Sequence, residues 1–538
     1  MRRLRSNRAA PAIALALYFS LVLGFQVAVG APSAPFGAYP DEPAHFVSGL
    51  MTHDYLLHGI GQWPSAYAYR YYTHDPYMGI GNWPPLYYVA EALWMFCFGT
   101  DRAAALWLTA FIAALCATLI FTALAEKAGK AVAFGAGLLF LLIPVVQWSN
   151  TLIMTDVAVA ALSFAAALAL ARYLDAGRAL DAAAFTLLAA LAMLTKGSAF
   201  FLAAMPPAAV LVSGRLRLFR EPSFWLIPFG IAVMVGPWYL YAKRFLAVGW
   251  DVVKPAYWQS VAQLGVIVLT HIGWLALLAP VGLWSILRAR PVPGIAVVCA
   301  LQPIAVVLFL ALAPTPNEPR YLISALPPLL VLAAYGVTAV VGAVVGKNRR
   351  ARLLAPCLMA AIIVAAASVW LFRFDRPRTN EFRSIAEFIV GNTNPVYTAV
   401  LVSAEAEGPM IAEITERDPL RGTRFLIRPG KLFAHMNLFG EQYAAKYHSP
   451  AEEQTVIESL PISLVIVRRN PPADAAPHER MLRDAIHQFP DRWRGVRSFG
   501  SGDRIYDLFA PAHTSEMSGQ QLEAFLMDLL KGTFHPKP

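Results

Sequence analysis

Pro84-Pro85-Leu86-Tyr87-Tyr88-Val89-Ala90-Glu91-Ala92-Leu93-Trp94-Met95-Phe96-Cys97-Phe98-Gly99 is the stretch on which the topology of this chain turns. It is apolar, but it has only 16 residues, opens on two prolines and holds an acid, Glu91. A helix that crosses a bilayer needs about 20 apolar residues to cover roughly 30 Å of hydrocarbon. Prolines can open a helix, because the first N–H groups have no intrahelical acceptor in any case. The stretch therefore reads as an interfacial or re-entrant helix rather than a span.

Outward from it, eleven longer runs read as spans: about 11–30, 103–125, 131–148, 153–173, 182–195, 198–214, 222–242, 263–287, 293–313, 321–346 and 353–373. They account for the composition of the 538 residues, 57% hydrophobic and only 14% charged. An average soluble domain carries about 25% charged residues, and disorder needs low hydrophobicity with high charge. Neither class fits. Two parts follow: a membrane part, 1–373, with an outer loop at 31–102, and a soluble part, 374–538. The first run follows Met1-Arg2-Arg3-Leu4-Arg5. It is read as an uncleaved anchor; the competing reading is a signal peptide ending near Val29-Gly30-Ala31.

With 84–99 left out, the basic residues sort by side. Seventeen fall in inner turns and seven in outer ones, which satisfies the positive-inside rule with a cytoplasmic N-terminus. The net charge of +10 thus reflects topology and gives no reason to expect nucleic acid. The expected setting is a bacterial inner membrane, with the C-terminal part in the periplasm. If 182–195 and 198–214 were one broken helix, that part would lie on the other side. Cys97, Cys116, Cys299 and Cys357 all sit in apolar segments, which removes a disulfide framework and a thiolate zinc site.

Three features then share the outer side. Tyr39-Pro40-Asp41-Glu42-Pro43-Ala44-His45 follows the first span. It reads as a solvated loop, as a general base at the membrane surface, or as a divalent-metal site formed by Asp41, Glu42 and His45. Asp156 opens a later span; it is either an N-cap or a carboxylate facing a cavity. Lys196, Lys243, Arg244, Lys254 and Arg320 either snorkel to lipid head groups or bind an anion. The loop also holds His53, His58, Trp63, Tyr67, Tyr69, Tyr71, Tyr72, His74, Tyr77 and Trp83. These form an interfacial aromatic belt or stack on sugar faces; the sequence does not separate the two.

In this order the motifs resemble the integral-membrane glycosyltransferases of the C superfamily, which use polyprenyl-phosphate sugars and include the protein O-mannosyltransferases and the lipid A aminoarabinose transferase. The resemblance runs over most of 10–345. It rests on Asp41-Glu42, Pro84-Pro85-Leu86-Tyr87-Tyr88, Asp156, Leu194-Thr195-Lys196-Gly197, Gly236-Pro237-Trp238-Tyr239 and Arg320-Tyr321-Leu322 before Pro327. Two departures, Trp83 before the proline pair and Thr155 before the second acid, bear on substrate preference. No Trp-Trp-Asp-Tyr-Gly motif is present, which argues against en bloc glycan transfer.

The resemblance implies a polytopic helical fold and an inverting sugar transfer to an acceptor hydroxyl. The acceptor would belong to a lipid, a glycan or a protein. Asp41 would be the base, Glu42 would assist it and Asp156 would position the acceptor or base. Lys196 and Arg320, with Lys243 and Arg244, would hold the donor phosphate. His45, Trp83, Pro84, Pro85, Tyr87 and Tyr321 would contact substrate. No cofactor is required by this reading, and a divalent metal stays open. A transporter or flippase of lipid-linked precursors is the rival reading; no internal repeat of the kind such proteins often show is evident.

The segment 374–538 reads as an α/β domain. Helices are expected at Glu381–Val390 and Glu516–Lys531, and strands at Val396–Ser403, Arg424–Arg428 and Ile462–Arg468. A hairpin is expected to join Arg494–Phe499 to Arg504–Leu508. The segment has neither a Gly-rich phosphate loop nor a metal-ligand cluster.

Overall fold

The computed structural model describes residues 2–79, 81–246, 254–273, 275–289, 291–346, 349–370, 381–394, 398–436 and 443–534. Every expected run up to 373 carries helix. Among the described residues, six helices are long and apolar enough to cross a membrane: Ala9–Ala28, Arg102–Leu124, Asp156–Ala176, Pro222–Lys243, Gly294–Leu312 and Pro319–Val345. Tyr257–Ile272 and Leu275–Leu287 form a seventh span if taken together, although they meet at 95°.

The other four runs give shorter apolar helices: Lys130–Leu142, Ala179–Met193, Gly197–Ser213 and Leu353–Val369. The run 131–148 is cut because Pro144 starts a new helix, Pro144–Ser149. Proline has no N–H to continue the preceding ladder. By length alone, then, six helices among the described residues qualify as spans, or seven with the bent pair, and the remaining four runs form shorter helices.

Small residues let the helices approach closely. A Cβ on Gly282 would lie 1.8 Å from the Leu332 carbonyl oxygen, and one on Gly336 would lie 2.2 Å from that of Leu278. Helices Leu275–Leu287 and Leu326–Val345 therefore touch backbone to backbone, the contact that replaces hydrophobic drive in lipid.

The stretch on which topology turned forms the 13-residue helix Leu86–Phe98, about 20 Å long at 1.5 Å per residue. Its buried face, Tyr87, Tyr88, Glu91, Ala92 and Met95, packs against helix Asp41–Asp54. Val89, Leu93, Phe96 and Phe98 remain exposed.

The C-terminal domain is built on a five-stranded sheet. Its strands are β1 (Ala399–Leu401), β2 (Phe425–Ile427), β5 (Ile462–Arg468), β6 (Trp493–Ser501) and β7 (Arg504–Pro511); a separate two-stranded ladder joins β3 (Ala434–His435) to β4 (Ala444–Ala445). The order is β2-β1-β5-β7-β6. β1 runs parallel to β2 and β5, while β7 is antiparallel to β5 and β6. The apolar run of β5 is explained by burial on both faces. Val465 and Val467 pack with Leu482 and Leu522 on one side. Leu464 and Ile466 pack with Ile385 and Ile411 on the other.

This domain is seated on the segment 31–102. Arg421 grips Asp54 through Nε and Nη2 at 2.9 and 3.0 Å. Thr415 donates to Asp75 at 2.7 Å, and His74 stacks on Phe425 with centroids 4.2 Å apart. Glu413 accepts from the backbone N–H of Phe36 at 2.9 Å.

Candidate functional site

Four side chains from distant parts of the chain converge where helices begin. Asp41 opens Asp41–Asp54 and Asp156 opens Asp156–Ala176. Lys196 immediately precedes the 3-10 turn Gly197–Phe200, and Arg320 lies in the 3-10 turn Pro319–Ala325. The positive ends of helices favour the two carboxylates.

Lys196 Nζ donates to Asp156 Oδ1 at 2.7 Å. Arg320 Nη2 donates to Asp41 Oδ2 at 2.9 Å, and its Nε donates to Glu318 Oε2 at 2.6 Å. Tyr39 donates to Glu318 and lies under the guanidinium, whose carbon is 4.3 Å from the ring centroid. Tyr321 offers its ring to Arg320 at 4.8 Å and to Lys196 at 4.5 Å. One place in this network is open. Asp156 Oδ2 and Arg320 Nη1 face each other at 3.8 Å, and both are buried without a hydrogen-bond partner.

Asp41, Lys196, Arg320 and Tyr321 line a cavity of about 490 Å3, together with Trp83 and Pro84. Its wall changes character from side to side. Phe200, Tyr239, Phe309, Leu310 and Ala313 form an apolar flank on the membrane helices. Tyr77, Asn82 and Arg428 line it from the segment 31–102 and the C-terminal domain. Trp83 fits because residue 79 is glycine; a Cβ there would come within 2.1 Å of the indole.

Other expected site residues lie elsewhere. Glu42 turns away into a fully buried ion pair with Arg102 and also faces the Ile153 N–H at 3.4 Å. Tyr87 is buried against Glu91, and neither it nor Pro85 lines the cavity. Lys243 is exposed and is absent from the lining. The Arg244 side chain lies outside the described residues.

His45 sits behind the wall, its ring 4.6 Å from that of Trp83 and its Nδ1 2.8 Å from the Tyr88 hydroxyl. Burial, reinforced by nearby Lys196, holds its pKa down at about 3, so the imidazole is neutral at physiological pH. Asp41, Glu42 and His45 thus have three different partners and do not converge as metal ligands. Among the described residues no group of three metal-ligating side chains comes together.

The sequence reading gave no role to Glu318, Tyr39, Asn82 or Arg428. Glu318 was legible in principle, as an acid two residues before Arg320 in an outer turn. Arg428 carried no such signal. It follows β2, donates to Glu407 at 2.6 Å and to the Tyr72 hydroxyl at 3.2 Å, and lies 5.0 Å from the Tyr77 ring centroid.

No family model matches the chain, and no curated protein does. Solved structures do. ArnT from Cupriavidus metallidurans bound to undecaprenyl phosphate superposes with a TM-score of 0.58 at 14% identity, over 94% of this chain and 98% of that one. Its apo state gives 0.59 at 14% identity, over 92% and 97%. The fold is that of ArnT. The archaeal oligosaccharyltransferase AglB from Archaeoglobus fulgidus also matches, with a TM-score of 0.49 at 13% identity, over 94% of this chain and 75% of that one. The match covers 94% of this chain, so it extends beyond 10–345, where the resemblance was read, into the C-terminal sheet domain.

Proposed function

We propose that the protein is a glycosyltransferase that moves a sugar from a polyprenyl-phosphate donor to an acceptor hydroxyl. The observation that carries this is one cavity in which carboxylates, cations and an apolar flank meet. The flank of Phe200, Phe309, Leu310 and Ala313 suits a lipid tail. Lys196 and Arg320 suit the donor phosphate, and the open place between Arg320 Nη1 and Asp156 Oδ2 marks a guanidinium with a bond still to give. An ArnT structure holding undecaprenyl phosphate supports the same assignment.

On this reading the acceptor hydroxyl gives its proton to Asp41 as its oxygen attacks the anomeric carbon. The bond from that carbon to the phosphate oxygen breaks, and the phosphate leaves as an anion held by Lys196 and Arg320. One displacement inverts the anomeric centre. General-base assistance of this kind is worth about 10²–10⁴-fold in rate, and preorganised cations facing the leaving anion add electrostatic stabilisation. Tyr321 and Trp83 shape the donor side. Glu42, held by Arg102, fixes the helix that presents Asp41 rather than sharing in the proton transfer.

The reaction is placed at the outer face of a bacterial inner membrane, with residues 374–538 periplasmic over the site. Helix Leu86–Phe98 lies in the interface, its Val89, Leu93 and Phe96 in lipid. The test is incubation of purified protein with labelled polyprenyl-phosphate sugars. Release or transfer of the sugar supports the reading. Movement of intact donor across vesicles, with no bond cleaved, would support the flippase in its place.

A further inference from the structure

A second cavity, of about 460 Å3, opens between the outer loop and the C-terminal domain. We infer that it is a binding site for the distal sugars of an oligosaccharide acceptor; this deepens the transferase reading and rests on it. Its wall combines aromatic faces with planar charged groups. Tyr67 and Tyr71 stand with ring centroids 6.1 Å apart, and the Arg70 guanidinium lies 6.0 Å from the Tyr67 centroid. The floor is the fork of Arg421 on Asp54, completed by the Tyr71 hydroxyl, which donates to Asp54 at 3.2 Å.

Two groups in this wall keep bonding capacity. Among the described residues, neither the Tyr67 hydroxyl nor Arg421 Nη1 has a protein hydrogen-bond partner, although Tyr67 is only partly exposed. Binding sites pair apolar surface with a few placed polar groups in this way. A sugar presents that pattern in reverse, with one C–H face and a rim of hydroxyls. A lipid tail would leave the Tyr67 hydroxyl and Arg421 Nη1 without partners, which is costly.

The position of the groove relative to the first cavity gives the length. Both cavities lie on one seam. On the loop side, His74 lines the groove and Tyr77 lines the first cavity. On the domain side, Thr423 lines the groove and Arg428 the first cavity, with β2 between them. Five residues of extended chain reach at most about 17 Å, so the two walls lie within the reach of a short oligosaccharide. An acceptor whose nucleophilic hydroxyl sits at Asp41 can extend along this seam to Tyr67. On this inference the partly exposed Tyr67 serves the acceptor rather than the lipid interface, with Tyr71 packed behind it.

The test uses full-length protein in nanodiscs and oligosaccharides of one to six sugars, cut from the envelope polysaccharide of the cells that make it. Affinity is read by calorimetry, and cleavage of labelled polyprenyl-phosphate sugar by water is read in parallel. Affinity should rise roughly 10-fold between two and four sugars, the scale of one aromatic contact. That gain should vanish in Tyr67→Ala and Arg70→Ala, fall only in part in Tyr67→Phe, which keeps the ring and loses the hydroxyl, and leave donor hydrolysis unchanged throughout. Equal affinity at all lengths, no binding of any member, or a length gain that persists in both alanine variants overturns the inference. Loss of donor hydrolysis in the unmodified protein would instead overturn the transferase reading.

Discussion

Arg320 Nη2 donates to Asp41 Oδ2 at 2.9 Å, across 279 residues of sequence. The group assigned to the donor phosphate therefore holds the group assigned as base. A phosphate that draws the guanidinium toward itself would free the carboxylate, so donor and base are coupled through one side chain. Asp41→Asn keeps an oxygen for Arg320 but cannot take a proton. Transfer should fall about 10²–10⁴-fold, with an unchanged thermal melt. A variant transferring sugar at the parental rate would remove Asp41 from the chemistry.

Lys196 and Asp156 make a second, more deeply buried pair. Lys196→Met leaves Asp156 with Arg320 at 3.8 Å as its remaining charge partner. Removing one member of a buried pair costs about 3–5 kcal/mol. The double variant Lys196→Met/Asp156→Asn carries no unpaired charge and should recover most of the melting temperature. Donor use, read as KM for the lipid-linked sugar, should stay impaired in both. Recovery of KM along with stability would reduce Lys196 to a structural counter-ion.

Glu42 and Arg102 are both fully buried, and the guanidinium also donates to the Ala31 and Thr151 carbonyls. Glu42→Gln should lower stability by about 3 kcal/mol or more, and activity should follow the folded fraction. At a temperature where the variant is fully folded, its kcat should match the parent. A large loss of kcat there would return Glu42 to the catalytic pair.

Asp75 ties the outer loop to the C-terminal domain, and burial raises its pKa to about 7. The sign follows from linkage. Between its ordinary value near 4 and about 7 the folded state binds more protons than the unfolded, so this contribution to stability is lost as pH rises. Neighbouring His74, pushed by burial down to about 4, acts oppositely in an overlapping window. The measurable quantity is therefore the difference between Asp75→Asn and the parent. The variant should gain relative stability from about pH 4 to 7 at up to about 1.4 kcal/mol per unit and level off above that, read from thermal melts. A difference independent of pH would show that Asp75 ionises freely.

What the sequence made legible depended on local signals. The strand Ile462–Arg468 was read with its observed limits because its apolar run matches burial on both faces. Asp41, Asp156, Lys196 and Arg320 could be grouped because charge sorting put the outer ends of their helices on one side. Glu42 parts from Asp41 because adjacency in sequence is not adjacency in space: successive residues of a helix point about 100° apart, and its partner Arg102 lies 60 positions away. Arg428 was out of reach for a related reason. It enters the cavity only because one domain docks on another, and docking leaves no periodicity to read.

β2 is an edge strand of the C-terminal sheet, and its open flank is covered by the helix Pro64–His74. His74 shields the Phe425 ring and bonds to the Arg424 carbonyl. Severed from the helical part, the sheet would bare an apolar ring and an unpaired backbone edge, the usual template for self-association. The C-terminal sheet domain is thus a lobe that borrows part of its surface from the loop it covers. That dependence makes secretion of the lobe alone a poor route to soluble material, and it binds the two parts of the chain to be inherited together.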